Sequence, residues 1–374
     1  MPDSTLFLTL RIFSATGGIE KVSRVAGKAL YELANDHPGA ALKVFSMYDE
    51  QGDVREKYFP ASVFKGFGKN KLRFVYAATR QGINCKQVIL SHSNLLLAGF
   101  LIKIFSPKTR LILLAHGIEV WNHFPFWKKY MLGKCDQVIA VSRFTKATMM
   151  ATHGLDEKKF TVLNNCLDPF LQAPLETKKN EDLLKRYGLS VDDMVLITLT
   201  RLSSKEQYKG YDNVLYAIKE LKEKYPLIKY LVVGKYDDVE KGRVDTIISA
   251  LNLEDNIIFT GFIPDEEVAA HYNIADLYIM PSKKEGFGIV FIEAMYYGKP
   301  VIAGNKDGSV DALDNGKFGL LINPDDRQDI SNAIIKVTSN KTAFIANRQA
   351  VIQKFSFTVY KENLKKILEG QSDA

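Results

Sequence analysis

Short runs of β-branched and aliphatic residues alternate along the whole chain with longer stretches in which apolar and polar positions mix. In the first part the runs are LFLTLRIF, LKVFSMY, QVILSHS, RLILLAH, QVIAVS and FTVLNN, each followed by a helix-length or loop-like stretch. A second series follows in VLITLTR, KYLVVG, NIIFTG, DLYIMPS, KPVIAG and GLLINP. Strands alternating with helices of this length predict βαβ units and parallel sheets, one for each series. Between the series, residues 167–182 (LDPFLQAPLETKKNED) hold two prolines, a charged cluster and little periodicity, which is the composition of a linker. The boundary is therefore placed at residue 172, with residues 1–172 as one α/β domain and 173–355 as another. The final segment, 356–374, carries a helical stretch near 357–369 that follows the last strand of the second sheet, and it is expected to cross back to the first domain.

Composition narrows the class. The chain has 374 residues, 46% hydrophobic and 25% charged, which suits a soluble globular protein with mass for two domains and excludes disorder, collagen and coiled coil. The apolar run LLLAGFLI stops at Lys103, far short of the roughly 20 residues that span a bilayer. The first residues lack the basic region, long apolar stretch and cleavage site of a signal peptide, so a cytoplasmic location is expected. Cys85, Cys135 and Cys166 form no CxxC pair and are expected to be buried free thiols, with neither a disulfide framework nor a zinc site. Charge is uneven: residues 1–170 carry 23 Lys+Arg against 13 Asp+Glu and the remainder 27 against 30, so +10 and −3 make up the net +7. A basic half suits nucleic acid, an anionic membrane or a phosphorylated substrate, and charge alone does not choose among them.

The sharpest chemistry is in EGFGIVFIEAMYYGKPVIA, where Glu285 and Glu293 are separated by seven residues and follow a predicted strand. Gly286 and Gly288 allow a tight turn and close ligand approach, and a helix starting near Ile289 offers unpaired N–H groups to an anion. Glu293, one turn into that helix, is expected to point back towards the mouth where Glu285 sits. Carboxylates beside an anion repel it unless they accept hydrogen bonds from neutral hydroxyls, so sugar hydroxyls are their natural partners. The competing reading is an acidic loop followed by a solvated helix face. In TRLSSKEQYKGYDNVLYAI, Arg201 leaves a strand end while Lys209 and Gly210 open a helix, so both cations can reach one diphosphate at the carboxyl edge of a parallel sheet.

On these motifs, and over nearly its whole length, the chain resembles retaining glycosyltransferases of the GT-B fold, family 4 (glycosyl transferases group 1). The resemblance implies two Rossmann-like domains facing each other across a cleft, with the acceptor bound by the first and the nucleotide sugar by the second. It implies that Glu293 binds the ribose hydroxyls, that Glu285 touches the donor sugar, and that the backbone at Phe287, Gly288 and Ile289 helps to hold the donor. Arg201 and Lys209 match the diphosphate-binding pair, and the nucleobase falls to Gly261, Phe262 and Ile263. In the first domain the family brings the loop of Gly17 and Gly18 towards the donor phosphate and acceptor, though a plain β-to-α turn explains a Gly pair equally well. The family also has a histidine near the transferred sugar where His116 ends a strand, for contact and polarisation rather than nucleophilic attack. His92, Ser142 and Asn165, at other strand ends, are secondary candidates.

Departures from the family pattern are Thr200 and Asn165 where glycines are common, Lys235 and Tyr236 after Gly234, and Asp311 where a Glu is common. Asn165 is expected to keep a left-handed turn, Thr200 and Tyr236 to narrow the donor pocket, and Asp311 to be non-catalytic. There is no DxD motif near a strand end; Asp237/Asp238 and Asp325/Asp326 read as helix starts or loops. No metal or other cofactor is expected, because Arg201, Lys209 and a helix N-terminus can stabilise a leaving diphosphate.

The expected reaction is transfer of a sugar from a UDP- or GDP-sugar to a hydroxyl of a polysaccharide or glycolipid, including lipid-linked acceptors, by same-face displacement. The closest alternative is a GT-B nucleotide-sugar epimerase or hydrolase, which would need no acceptor. A dinucleotide-dependent oxidoreductase lacks its GxGxxG after an early strand, and a nucleic-acid module lacks a recognition motif, so no nucleic-acid partner is expected. In residues 62–82, Lys65, Lys69, Lys71, Arg73 and Arg80 interleave with Phe64, Phe67, Phe74 and Tyr76. That segment, with NHFPFWKKY at 122–130 as a second, suits peripheral docking on an anionic membrane; the alternative is a helix whose aromatics enter the core while its cations face water.

Overall fold

The computed structural model describes residues 4–173 and 178–370. Residues 1–3, 174–177 in the middle of the expected linker, and 371–374 at the end of the expected C-terminal segment lie outside the described residues. The chain divides into two compact units: one runs to Pro169 and resumes at Phe355, and the other is Phe170–Lys354. The division after Pro169 lies a few residues before the position expected from composition.

The first unit is a parallel seven-stranded sheet of β1 (Ser4–Thr9), β2 (Ala41–Ser46), β3 (Phe64–Gly66), β4 (Gln87–Leu90), β5 (Arg110–Ala115), β6 (Gln137–Ala140) and β7 (Phe160–Val162), in the order β3-β2-β1-β4-β5-β6-β7. Its helices are α1 (Gly18–Asn35), α2 (Lys71–Gly82), α3 (Leu96–Phe105), α4 (Ile118–Trp121), α5 (Phe126–Gly133) and α6 (Arg143–His153). Successive side chains of a strand point to opposite faces, so a sheet covered on both sides needs nearly continuous apolar runs. Phe7, Ile89, Ile112 and Ile139 go to one core, Leu6, Leu8, Val88, Leu111 and Leu113 to the other.

Six strands coincide with the predicted runs; β3 does not. It lies inside the segment read as one amphipathic stretch, is only three residues long, and pairs along the edge of β2 through Val44, Phe45 and Ser46. Phe64, Phe67 and Phe74 are buried in the core, so the aromatics of residues 62–82 largely pack inwards, as the competing reading had it; Tyr76 remains exposed.

The second unit has six parallel strands, all at predicted runs: β8 (Met194–Leu199), β9 (Ile228–Val233), β10 (Ile257–Gly261), β11 (Leu277–Met280), β12 (Val301–Gly304) and β13 (Leu320–Ile322), in the order β10-β9-β8-β11-β12-β13. Its helices are α7 (Glu181–Arg186), α8 (Tyr211–Leu221), α9 (Asp238–Leu251), α10 (Val268–Ile274), α11 (Ile289–Tyr296), α12 (Ser309–Ala312), α13 (Arg327–Ser339) and α14 (Arg348–Phe355). Asp237 and Asp326 cap α9 and α13 by accepting backbone N–H groups, which accounts for two of the paired aspartates.

The last helix, α15 (Phe357–Leu368), belongs to the first unit. Tyr360, Leu364, Ile367 and Leu368 enter the core shared with α1, Lys361 pairs with Glu32 at 3.0 Å, and Arg110 donates to the Ile367 and Leu368 carbonyls. Cys85, Cys135 and Cys166 are buried free thiols. Among the described residues no helix is long and apolar enough to cross a membrane.

Candidate active site

In each sheet the strand order reverses once, between β1 and β4 in the first unit and between β8 and β11 in the second. Loops leaving the carboxyl ends of the strands on either side of such a reversal diverge and leave a crevice in which ligands bind. In the second unit those loops are residues 200–210, after β8, and 281–288, after β11.

The first loop carries both predicted cations. Arg201 is 64% exposed in its side chain and is held by Glu206. Lys209 ends a short 3-10 turn and is much less accessible. Gly210 follows with φ 79°, and a Cβ there would lie 2.2 Å from the Pro281 carbonyl, so only glycine allows the two loops to pass so closely. The Lys283 N–H donates to the Tyr208 carbonyl at 3.0 Å and ties the loops together. Across this junction the Lys209 ammonium donates to the Glu285 carboxylate. Burial is the strongest single influence on the Lys209 pKa and acts to lower it, but the charge and hydrogen bond of Glu285, joined by Tyr208 and Glu206, together outweigh it and hold the ammonium above its ordinary range.

The second loop delivers Glu285, Phe287, Gly288 and Ile289 to the start of α11. Gly288 is its N-cap with φ 84°, and a Cβ would strike the Phe291 ring at 2.4 Å. Ile289 opens the helix, whose first N–H groups have no intrahelical acceptors, while the Phe287 side chain is buried. Glu293 is 1% exposed, and Phe291, Ile292, Ala294 and Met295 around it are buried, so the predicted alternative of a solvated acidic face does not hold. Glu293 lies among tyrosines: the Tyr272 and Tyr278 phenols are pushed well above their ordinary range, first by burial and then by carboxylate charge, Tyr278 by Glu285 as well as Glu293. Tyr272 stacks on Tyr297 with ring centroids 5.0 Å apart.

A residue that motif reading passed over fixes this loop. Asp307, 2% exposed, accepts the Glu285 N–H at 2.7 Å and the Ser309 N–H at 2.9 Å, while the Gly308 N–H donates to the Glu285 carbonyl at 2.8 Å. Both backbone groups of Glu285 are thus taken by the turn that follows β12. Burial pushes the Asp307 pKa up to about 6; the N–H bonds oppose the rise and the Glu285 charge adds to it. The sequence signal was the Asp-Gly-Ser step before a short helix, which reads as an ordinary turn until β11 and β12 are placed side by side.

The predicted nucleobase segment follows β10: Gly261 has φ 69°, Phe262 is 52% exposed, and Ile263 is half-buried. The Lys235 ammonium lies over the Phe262 ring, 4.8 Å from its centroid. Tyr236 is exposed and forms a bridge with Leu202.

In the first unit, Gly17 is the N-cap of α1 with an extended backbone, φ −73° and ψ 170°, a conformation open to any residue, and a Cβ on Gly18 would meet open space. The preceding loop is held by two buried groups that sequence reading missed. Asp49 accepts the N–H groups of Ile12, Phe13 and Ser14 and the Ser46 hydroxyl, and the Arg24 guanidinium donates to the Ile12 and Ala15 carbonyls.

His116 follows β5, is 8% exposed, receives its orientation from an Nε2 hydrogen bond to the Ser91 carbonyl at 2.8 Å, and gives its backbone N–H to Glu119. With the proton assigned to Nε2, Nδ1 is an acceptor with no hydrogen-bond partner among the described residues. Nearby His92 is lowered to about 4 by burial and then by the His116 and Lys128 charges, so it is neutral at neutral pH. Ser142 is the N-cap of α6, and Asn165 is buried; its φ is not positive, against the expected left-handed turn. The Asn164 amide instead ties that segment to the Val141 carbonyl.

Comparison with known proteins agrees with this architecture. Anabaena HepE in complex with UDP-glucose superposes with a TM-score of 0.80 at 20% identity, covering 98% of this chain and 99% of that one. Residues 179–354 match the family described as glycosyl transferases group 1, and residues 31–169 match glycosyltransferase family 4. Among relatives, the GDP-mannose-dependent alpha-(1-6)-phosphatidylinositol monomannoside mannosyltransferase of Mycolicibacterium smegmatis is 28% identical over 280 residues, 71% of each chain. The mannosylfructose-phosphate synthase of Agrobacterium fabrum is 26% identical over 64% of this chain and 54% of its own. Two parallel Rossmann-like units, matched by the HepE structure, give the protein the GT-B fold. The two family matches take in most of the chain between them, and it belongs to glycosyltransferase family 4.

Proposed function

We propose that the protein is a retaining, metal-independent hexosyltransferase that moves a sugar from a UDP- or GDP-sugar to a hydroxyl of a saccharide or lipid-linked acceptor, at the cytoplasmic face of a membrane. The observation that carries the reading is the Lys209–Glu285 pair beside the N-terminus of α11. An arriving diphosphate takes the place of Glu285 on the Lys209 ammonium and receives the free N–H groups of Ile289 and its neighbours. Glu285, released from Lys209, accepts hydrogen bonds from sugar hydroxyls, and Glu293 accepts those of the ribose. Phe262 and Ile263 lie beside the base.

Arg201 and Lys209 neutralise charge as the bond from the sugar to the diphosphate breaks. The acceptor oxygen attacks from the same face, and its proton passes to the departing diphosphate oxygen, so no protein nucleophile is needed. We assign His116 to contact with a sugar hydroxyl, accepted at Nδ1, and Gly17 and Gly18 to the donor-binding residues. Support for a nucleotide-sugar donor comes from the UDP-glucose bound by the structural neighbour and the GDP-mannose named for the relative. That relative's name, a phosphatidylinositol mannoside, supports a lipid-linked acceptor.

Calorimetric titration of UDP, GDP and ADP and their sugar conjugates tests the donor site in the wild type and in Glu293→Ala. One nucleotide family should bind, and the variant should lose at least about tenfold in affinity, as expected for a lost charge-assisted hydrogen bond. Equal affinity in both proteins removes Glu293 from the site. Binding of no nucleotide sugar overturns the donor assignment.

A further inference from the structure

The two faces of the first unit's sheet are covered by helices of different character. On one face, α1 and α15 bury an apolar stripe and turn polar residues outwards, as a surface helix should. On the other, α3 is apolar almost all round yet only half of it is covered: Leu96, Ala98 and Ile102 enter the core, while Leu97, Ile104 and Phe105 are exposed. Helix α5 continues that surface. The Phe100 and Tyr130 rings meet edge to face with centroids 5.7 Å apart, and Phe126, Trp127 and Tyr130 are exposed, Phe126 to 87%. Among the described residues up to Pro169, every large hydrophobic exposed to solvent falls between Leu72 and Tyr130; α1 and α15 present none.

The margins of this ridge are basic. Lys108, Lys129 and Lys134 are exposed, the nearby acid Asp136 is paired with Lys103 at 2.7 Å, and the Lys134 ammonium lies over the Tyr130 ring. We infer that the α3–α5 ridge docks the protein on an anionic lipid surface, with Phe105, Phe126, Trp127 and Tyr130 entering the headgroup boundary and the lysines meeting lipid phosphates. Aromatic side chains with cations beside them are the composition that binds such an interface. A second copy of the chain fits less well, because a symmetric contact would bring the same lysines face to face. The inference rests on the membrane-borne acceptor of the proposed function but not on the chemistry of the donor site. It also moves the docking surface away from residues 62–82, whose phenylalanines are committed to the core, and onto α3 together with the second segment read from the sequence, 122–130, which holds most of α5.

The test is sedimentation of the full chain with vesicles of phosphatidylcholine alone and with added phosphatidylglycerol, at low and raised salt. Trp127 emission provides a second readout against a Trp121→Phe background, since these are the two tryptophans of the chain. The wild type should pellet with anionic vesicles, shift its emission to the blue and release at high salt. Phe126→Ser with Trp127→Ser should abolish pelleting, and Lys129→Glu and Lys134→Glu should each weaken it about fivefold or more. No pelleting at low salt, variants that bind like the wild type, or a self-association that these variants disrupt without any vesicle binding would each overturn the inference. Nucleotide titration of the same proteins keeps the two readings apart. Vesicle binding without nucleotide binding sinks only the donor assignment, and the reverse sinks only the docking surface.

Discussion

Two buried aspartates brace the glycine-bearing loops of the two units, and they do so with different resources. Asp49 meets four donors, three successive backbone N–H groups and the Ser46 hydroxyl, with no acid among them. Asp307 meets two backbone N–H groups, one of them from Glu285, with the Ser309 side chain also acting to lower its pKa, and so sits beside a second carboxylate. A carboxylate stripped of water needs hydrogen bonds in its place, and where they are few and a like charge is near it holds a proton more tightly. The first loop is therefore braced by a buried carboxyl that four donors meet. The second is braced by a group close to titration beside the Glu285 carboxylate.

The largest expected effect is on the leaving-group chemistry proposed for the second loop. Lys209→Ala should lower kcat by about a hundredfold to a thousandfold, the range for removing one group that stabilises developing charge, with a smaller change in donor affinity. Steady-state rates with the donor found by titration check this, and an unchanged kcat removes Lys209 from the leaving-group site.

Next comes stability. Asp49→Ala leaves three N–H groups without their acceptor, those of Ile12 and Phe13 buried, and should destabilise the first unit by roughly 3–5 kcal/mol. Both tryptophans, Trp121 and Trp127, lie in that unit, so the urea midpoint followed by tryptophan fluorescence reports on it directly.

A pH difference sharpens the comparison further. The folded pKa of Asp307 is raised from 3.8 to about 6. The stability this group contributes is therefore full below the unfolded value and is lost as pH rises through about 6. Activity should run the other way, because a protonated carboxyl cannot accept both N–H groups and the brace on Glu285 loosens. The kcat/KM profile should fall on the acid side near pH 6, and Asp307→Asn should remove that limb while lowering the plateau by a few fold. A limb that survives in the Asn variant belongs to another group. The smallest effect is expected at Lys235→Met, which removes the cation over the Phe262 ring and should change nucleotide affinity by about fivefold at most.

The parallel sheets were legible because both faces of each are covered, which writes every long strand as an unbroken apolar run; all six strands of the second unit were visible for this reason. Strand β3 was not, since a three-residue edge strand leaves no periodicity and its phenylalanines look like one side of an amphipathic helix. The Lys209–Glu285 meeting was foreseeable in kind, because both residues follow strands that the fold makes neighbours. Asp49, Arg24 and Asp307 were not, because each acts on backbone groups, those of a remote segment for Asp49 and Asp307 and of the preceding loop for Arg24, and a hydrogen bond to a main chain selects no side chain that a motif could record. The exposed ridge was half legible: the apolar run of α3 was read only as too short to span a bilayer, and its outward face appears once the inward one is known.

The return of α15 to the first unit has a consequence for the order of synthesis. A ribosome releases β1 to β7 first, then the whole of the second unit, and only then Tyr360, Leu364, Ile367 and Leu368. The first-made unit must wait with the α1 side of its core uncovered while the later one, continuous in sequence, folds to completion. In the cell the nascent protein thus passes through a stage in which its second unit is finished and its amino-terminal unit is still a client for chaperones.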